Sequence, residues 1–203
     1  MTLKKILPIF SYIFHPLFTP VQACFFYFLF HASDYKIELI TTFFLQIAIV
    51  TILTPIALYF LLRFTGKVDS IMIADIEQRK IPLVFQSFLI IILLKKSISL
   101  DYYPELHFFF LGALCSILFA LGLLYIKTKA SLHMLAISAL TVFVFGLNIH
   151  LQMGSIYFVP FMLLMNGFVA SSRLVMQAHT PRELVIGLLI GSIPQLAFLF
   201  LWL

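Results

Sequence analysis

Seven apolar runs of about 17–24 residues follow one another along the 203-residue chain, each bounded by charges, prolines or turn residues. They occupy roughly 12–31, 39–62, 82–99, 106–126, 132–150, 155–171 and 184–203. A helix needs about 20 apolar residues to span the hydrocarbon core of a bilayer, and inside it every backbone N–H and C=O must be satisfied within the segment. Such runs read as transmembrane helices. The expected fold is all-α, a polytopic membrane helix bundle of six or seven transmembrane helices, forming a single integral membrane domain over 1–203. The first run is the least regular, because Pro8, Pro16 and Pro20 interrupt it. Residues 5–16 are therefore expected to lie along the interface before the chain turns inward.

Composition removes most other classes. The chain is 63% hydrophobic and only 10% charged, against about 25% charged residues in an ordinary soluble domain. Apolar sequence continues to Trp202 and Leu203, which argues against a short targeting signal followed by a soluble body. Cys24 and Cys115 both lie inside apolar runs, so they read as small buried hydrophobes and not as a disulfide framework or a zinc site. The formal charge of +5 is put down to orientation and anionic lipid; no nucleic-acid module is present. Gly112, Ser116, Gly122, Ser138, Gly146, Gly167, Gly187 and Gly191 are small residues that let helices approach closely.

The polar connections alternate between two membrane faces. One face collects the N-terminus and the gaps at 63–81, 127–131 and 172–183, with Lys4, Lys5, Arg63, Lys67, Arg79, Lys80, Lys127, Lys129, Arg173 and Arg182. The other holds Lys36, Lys95 and Lys96. By the positive-inside rule the first face is cytoplasmic, although cations kept to bind a phosphate would produce the same bias. Tyr102, Tyr103 and Trp202 suit interfacial anchors on the second face.

Three polar clusters fall on the cation-rich face. They are "DIEQRKIP" with Arg79 and Lys80, "KASLHM" with Lys129, Ser131 and His133, and "SSRLVMQAHTPRE" with Arg173, His179 and Glu183. Two expected crossings separate Arg79 from His133, and two more separate His133 from His179. An even number of crossings returns the chain to its starting face, so all three clusters can share one site.

Ser172-Arg173, five residues, His179, three residues, Glu183 resembles the third motif of the type-2 phosphatidic acid phosphatase superfamily, with Glu in place of Asp. Ser131 and His133 stand at the spacing of its second motif, with Ala130 for Pro and Leu132 for Gly. Arg79 and the displaced Pro82 are the nearest counterpart of the first motif, whose lysine position is Met72. The resemblance covers about residues 75–187, within a motif-bearing core of about 75–203. It implies a membrane-embedded lipid phosphate or diphosphate phosphatase that needs no cofactor or metal and works through a phosphohistidine. His179 would attack phosphorus, Glu183 would hold its tautomer, and His133 would protonate the leaving oxygen and activate water. Arg79, Arg173, Lys129, Lys80 and Ser131 would bind the phosphate. The implied partners are a lipid phosphate substrate and membrane lipids, and the implied location is a bacterial inner membrane. Phosphatidic acid, phosphatidylglycerol phosphate, undecaprenyl diphosphate and a lipid A phosphate are the head groups such a family offers.

Quieter roles stand beside these. "TPRE" is a capping box with Thr180 as N-cap and Pro181 in first position, so Glu183 has reason to be there as a helix start. Ser131 reads equally well as an N-cap. His15, His31, His107 and His150 receive no functional role. Two other functions remain open at this point: a non-catalytic relative that binds or moves a lipid phosphate, and a polyprenyl transferase. The second rests on Asp69 and Asp75 near "RKIP", a thin echo of the aspartate clusters that hold magnesium diphosphate.

Overall fold

The computed structural model describes residues 3–31, 34–69, 75–152 and 156–203, and among these every regular element is helical. A short turn of helix, α1 (Leu3–Ile6), leads into α2 (Pro8–Ile13), and α3 (Thr19–Phe30) follows after a non-helical joint. The run expected over 12–31 is thus two short helices. Pro16 and Pro20 carry no amide hydrogen to continue a helix, and α3 has 12 residues, too few to cross a bilayer alone.

The next run is continuous. Helix α4 (Ile37–Ala48) passes through a π-helical turn at Ile49–Leu53 into α5 (Thr54–Phe64). The wide turn sits just before Pro55, where the ladder loses a donor, and Thr51 and Thr54 hydroxyls bond back to the carbonyls of Ile47 and Ile49 at 2.9 Å each. Four long helices and one more polar one complete the chain: α6 (Ile76–Lys96), α7 (Pro104–Tyr125), α8 (Leu132–His150), α9 (Phe158–Val175) and α10 (Pro181–Leu199). Among the described residues, five helices are long and apolar enough to cross a membrane: the rod Ile37–Phe64 and helices α7, α8, α9 and α10. Helix α6 is of comparable length, with Arg79 and Lys80 toward one end and Lys95 and Lys96 at the other.

Helix α8 is the central post. Its Ile137, Leu140, Phe143, Val144 and Leu147 are fully buried, and it packs along α10, α9, α3 and α7. The closest of these approaches is to α10 and depends on two glycines. A side chain on Gly187 would collide with the Ser131 carbonyl, and one on Gly191 with the Leu135 carbonyl. Because both positions are bare, the two backbones come close enough for Ser138 Oγ to donate to the Leu188 carbonyl at 3.2 Å. At the same end, Ser131 N–H donates to the Glu183 carbonyl at 3.0 Å. The start of α8 and the start of α10 are therefore fastened to each other.

Candidate active site

Helix α6 displays the spacing that builds one wall of a cavity. Arg79, Pro82, Leu83, Gln86 and Ile90 recur at steps of three and four, so they lie on one face, and all of them line a single cavity of about 530 Å³. Phe109, Phe110, Ala113 and Ile117 of α7 form a second wall, and Leu132, His133, Leu135, Ala136 and Ala139 of α8 a third. Polar groups gather at one end: Ser11, Tyr12, His15, Arg79, His133, Arg173 and His179. The remainder is mostly apolar, including Pro55, Leu58 and Leu62 from the rod.

Two turns of matching design deliver the polar groups. After α7, Lys127 takes a left-handed conformation (φ 57°) and Thr128 N–H bonds back to Leu123. After α9, Gln177 does the same (φ 51°), with Ala178 N–H bonding to the Arg173 carbonyl at 3.1 Å. Each turn then enters an N-cap: the hydroxyl of Ser131 accepts from Met134 N–H at 3.5 Å, and that of Thr180 from Glu183 N–H at 3.3 Å. The first turn sets His133 on the opening turn of α8. The second holds His179 immediately before α10.

Glu183 serves two neighbours with one oxygen. Its Oε2 accepts from His179 Nδ1 at 2.7 Å and from Thr180 N–H at 3.3 Å, completing the capping box. A carboxylate only accepts, so Nδ1 carries the ring proton and Nε2 of a neutral ring is left with its lone pair. Glu183 is not among the lining residues while His179 is, which leaves the Nε2 edge for the cavity. Burial above all holds the His179 imidazole below its ordinary range, to about 4; the bond to Glu183 pulls it upward, and Arg173 and Arg79 push it down. The ring is neutral at physiological pH.

The arginines are unusually enclosed for their charge. Arg79 is 9% exposed and Arg173 6%. Among the described residues, Arg173 Nε is buried without a hydrogen-bond partner, and its Nη1 donates to the thioether of Met176 at 3.8 Å. Burying a guanidinium is costly unless its charge is matched, and the enclosed donors of Arg173 can take an anion in the cavity. The two arginines are near enough to repel each other, and both act on His179.

Of the residues expected from sequence, the structure brings Arg79, His133, Arg173 and His179 to the cavity, with Glu183 behind His179. Lys80, Lys129 and Ser131 do not line it. Lys80 Nζ binds the Glu77 carboxylate at 2.7 Å and sits 4.9 Å over the Tyr125 ring, since one residue along a helix turns the side chain by about 100°. Lys129 acts on Glu183 from outside the cavity. Ser131 is fully buried as the N-cap of α8, and its N–H is taken by the Glu183 carbonyl. Asp69 accepts from Gln78 at 2.6 Å and Asp75 caps α6, so neither carboxylate lines the cavity. His31 and His150 flank Glu105 elsewhere in the bundle, and His107 bonds to the Ile98 carbonyl.

Sequence reasoning missed the contribution of the N-terminal segment. Ser11, Tyr12 and His15 all line the cavity. Ser11 Oγ bonds to Ser172 Oγ at 2.6 Å, and Phe10 stacks on Phe168 with centroids 4.5 Å apart, so α2 is docked on α9. The only sequence signal was His15 itself, standing beside Pro16 on the cation-rich face.

Set against protein-family models, curated proteins and solved structures, the chain matches none.

Proposed function

We propose that the protein is a membrane-embedded phosphatase of lipid phosphates or diphosphates, working through a phosphohistidine, and a divergent relative of the type-2 phosphatidic acid phosphatases with six or seven transmembrane helices. One observation carries the reading. A buried guanidinium whose Nε has no hydrogen-bond partner among the described residues, Arg173, shares a cavity with a neutral histidine whose Nδ1 is held by a carboxylate. The first calls for an anion, and the second offers a nucleophile.

The chemistry follows from those groups. Arg79 and Arg173 take the phosphoryl oxygens and spread the charge that grows in the transition state. The lone pair on His179 Nε2 forms the N–P bond as the P–O bond to the lipid breaks, and Glu183 stabilises the positive charge that appears on the ring. His133 gives its proton to the leaving alkoxide. It then takes a proton from water, whose oxygen attacks phosphorus and releases His179. A lipid substrate suits the apolar remainder of the cavity, where hydrocarbon can lie beside Leu83, Ile90, Phe109 and Phe110.

A second reading keeps the anion site and drops the turnover. Leu132 lines the cavity where the motif has glycine, and the Ser131 N–H is already bonded, so backbone donors that would approach a phosphate are reduced. The protein would then bind or move a lipid phosphate. Purified protein assayed for phosphate release from dodecyl phosphate separates the two: release that disappears in His179→Ala supports the phosphatase, whereas saturable binding without release supports the second reading.

A further inference from the structure

His15 lies on the joint between α2 and α3 and lines the same cavity as the arginines and the two other histidines. Its ring stands perpendicular to that of His133, with centroids 5.0 Å apart. Leu17 N–H donates to its Nδ1 at 3.3 Å, so a neutral His15 carries its proton on Nε2. Ser11, on the helix that leads into His15, lines the cavity together with His133. The joint is fixed from both sides, because Ser11 is bonded to Ser172 and Gln22 Nε2 donates to the Ile13 carbonyl at 3.0 Å.

The groups facing this pair are Tyr12 from α2, Arg79 from α6, Arg173 from α9 and His179 from the turn before α10. With two guanidiniums at hand, two imidazolium rings side by side in an empty cavity would be strongly disfavoured. Entry of a phosphate dianion supplies the missing negative charge and makes room for one proton on the pair.

Resting on the phosphatase reading, we infer that His15 is a second proton-handling residue of the site, sharing with His133 the one proton that passes to the leaving alkoxide and returns from water. As His179 Nε2 bonds to phosphorus, the P–O bond breaks and its electron pair takes the shared proton. In the second half, water gives a proton back to the pair, its oxygen bonds to phosphorus, and the N–P electron pair returns to His179. No oxidant, reductant or further reactant enters. His15 partners the acid, so its removal weakens proton delivery without touching the nucleophile.

The test compares two leaving groups in the full-length protein in detergent. Dodecyl phosphate expels an alkoxide that needs a proton, and 4-nitrophenyl phosphate expels a stable phenolate that does not. His15→Asn is expected to lower kcat/KM, which covers the steps up to release of the leaving group and not the shared attack of water, on dodecyl phosphate by about 10²-fold and on 4-nitrophenyl phosphate by less than about threefold. His15→Gln keeps an N–H donor but no basic nitrogen and is expected to behave alike, with both variants melting as wild type does. Equal losses on the two substrates, in either variant, or no loss on either, overturn the role of His15. If wild-type protein hydrolyses neither substrate, the phosphatase reading itself falls and takes this inference with it.

Discussion

His179 and Glu183, one helical turn apart, are joined through Nδ1 and Oε2 at 2.7 Å, and the same oxygen caps α10 through Thr180 N–H. The orientation of the imidazole and the start of α10 thus rest on one carboxylate, and substitutions can separate them. Glu183→Gln keeps an acceptor for the cap but loses the charge, so thermal stability should stay near wild type while turnover falls by about 10²-fold or more. Glu183→Ala loses both, and its unfolding free energy should drop by a further 0.5–2 kcal/mol, roughly the worth of a cap. Paired melting and turnover measurements on the two variants check this.

Arg173 is the arginine whose Nε is buried with no hydrogen-bond partner among the described residues. Arg173→Lys keeps the charge and removes the planar fork, so kcat/KM on a lipid phosphate should fall by about 10–100-fold with little change in melting temperature. Unchanged kinetics would make it an ordinary interfacial charge.

The pH dependence follows from burial. With His179 held at about 4 instead of the ordinary 6.5, the ring is neutral above that value and becomes protonated, losing its Nε2 lone pair, as the pH falls through it. The acid limb of kcat/KM, which reports the free enzyme, should therefore lie near pH 4 once the substrate's own ionisation near pH ~6 is taken into account. Because the bond to Glu183 raises this value, Glu183→Ala should move the limb lower still.

Two glycines give a structural control. Gly187→Ala would drive a methyl into the Ser131 carbonyl and should cost about 1–3 kcal/mol. Gly122 has open space around it, and Gly122→Ala should be neutral or slightly stabilising. Thermal unfolding of the two variants in detergent reads the difference.

The gathering of Arg79, His133, Arg173 and His179 was legible because one simple rule applied: long apolar runs taken in consecutive pairs bring the chain back to the end from which it started. The fate of Lys80, Lys129 and Ser131 was not, because whether a side chain reaches a cavity turns on a rotation of about 100° per residue and on competing partners such as Glu77 and the Glu183 carbonyl. The division of the first apolar run followed from prolines visible in the sequence. The docking of α2, which brings His15 beside His133, depends on single contacts such as Ser11 to Ser172 and Phe10 to Phe168 that no periodicity encodes.

The phosphorylated enzyme is the most direct object to look for. Purified protein mixed with dodecyl phosphate, quenched within the first turnover and mapped by peptide mass spectrometry should carry an acid-labile phosphoryl group on His179, absent from His179→Ala. Steady release of phosphate with no phosphoryl group on that histidine, or full activity in His179→Ala, would contradict the account.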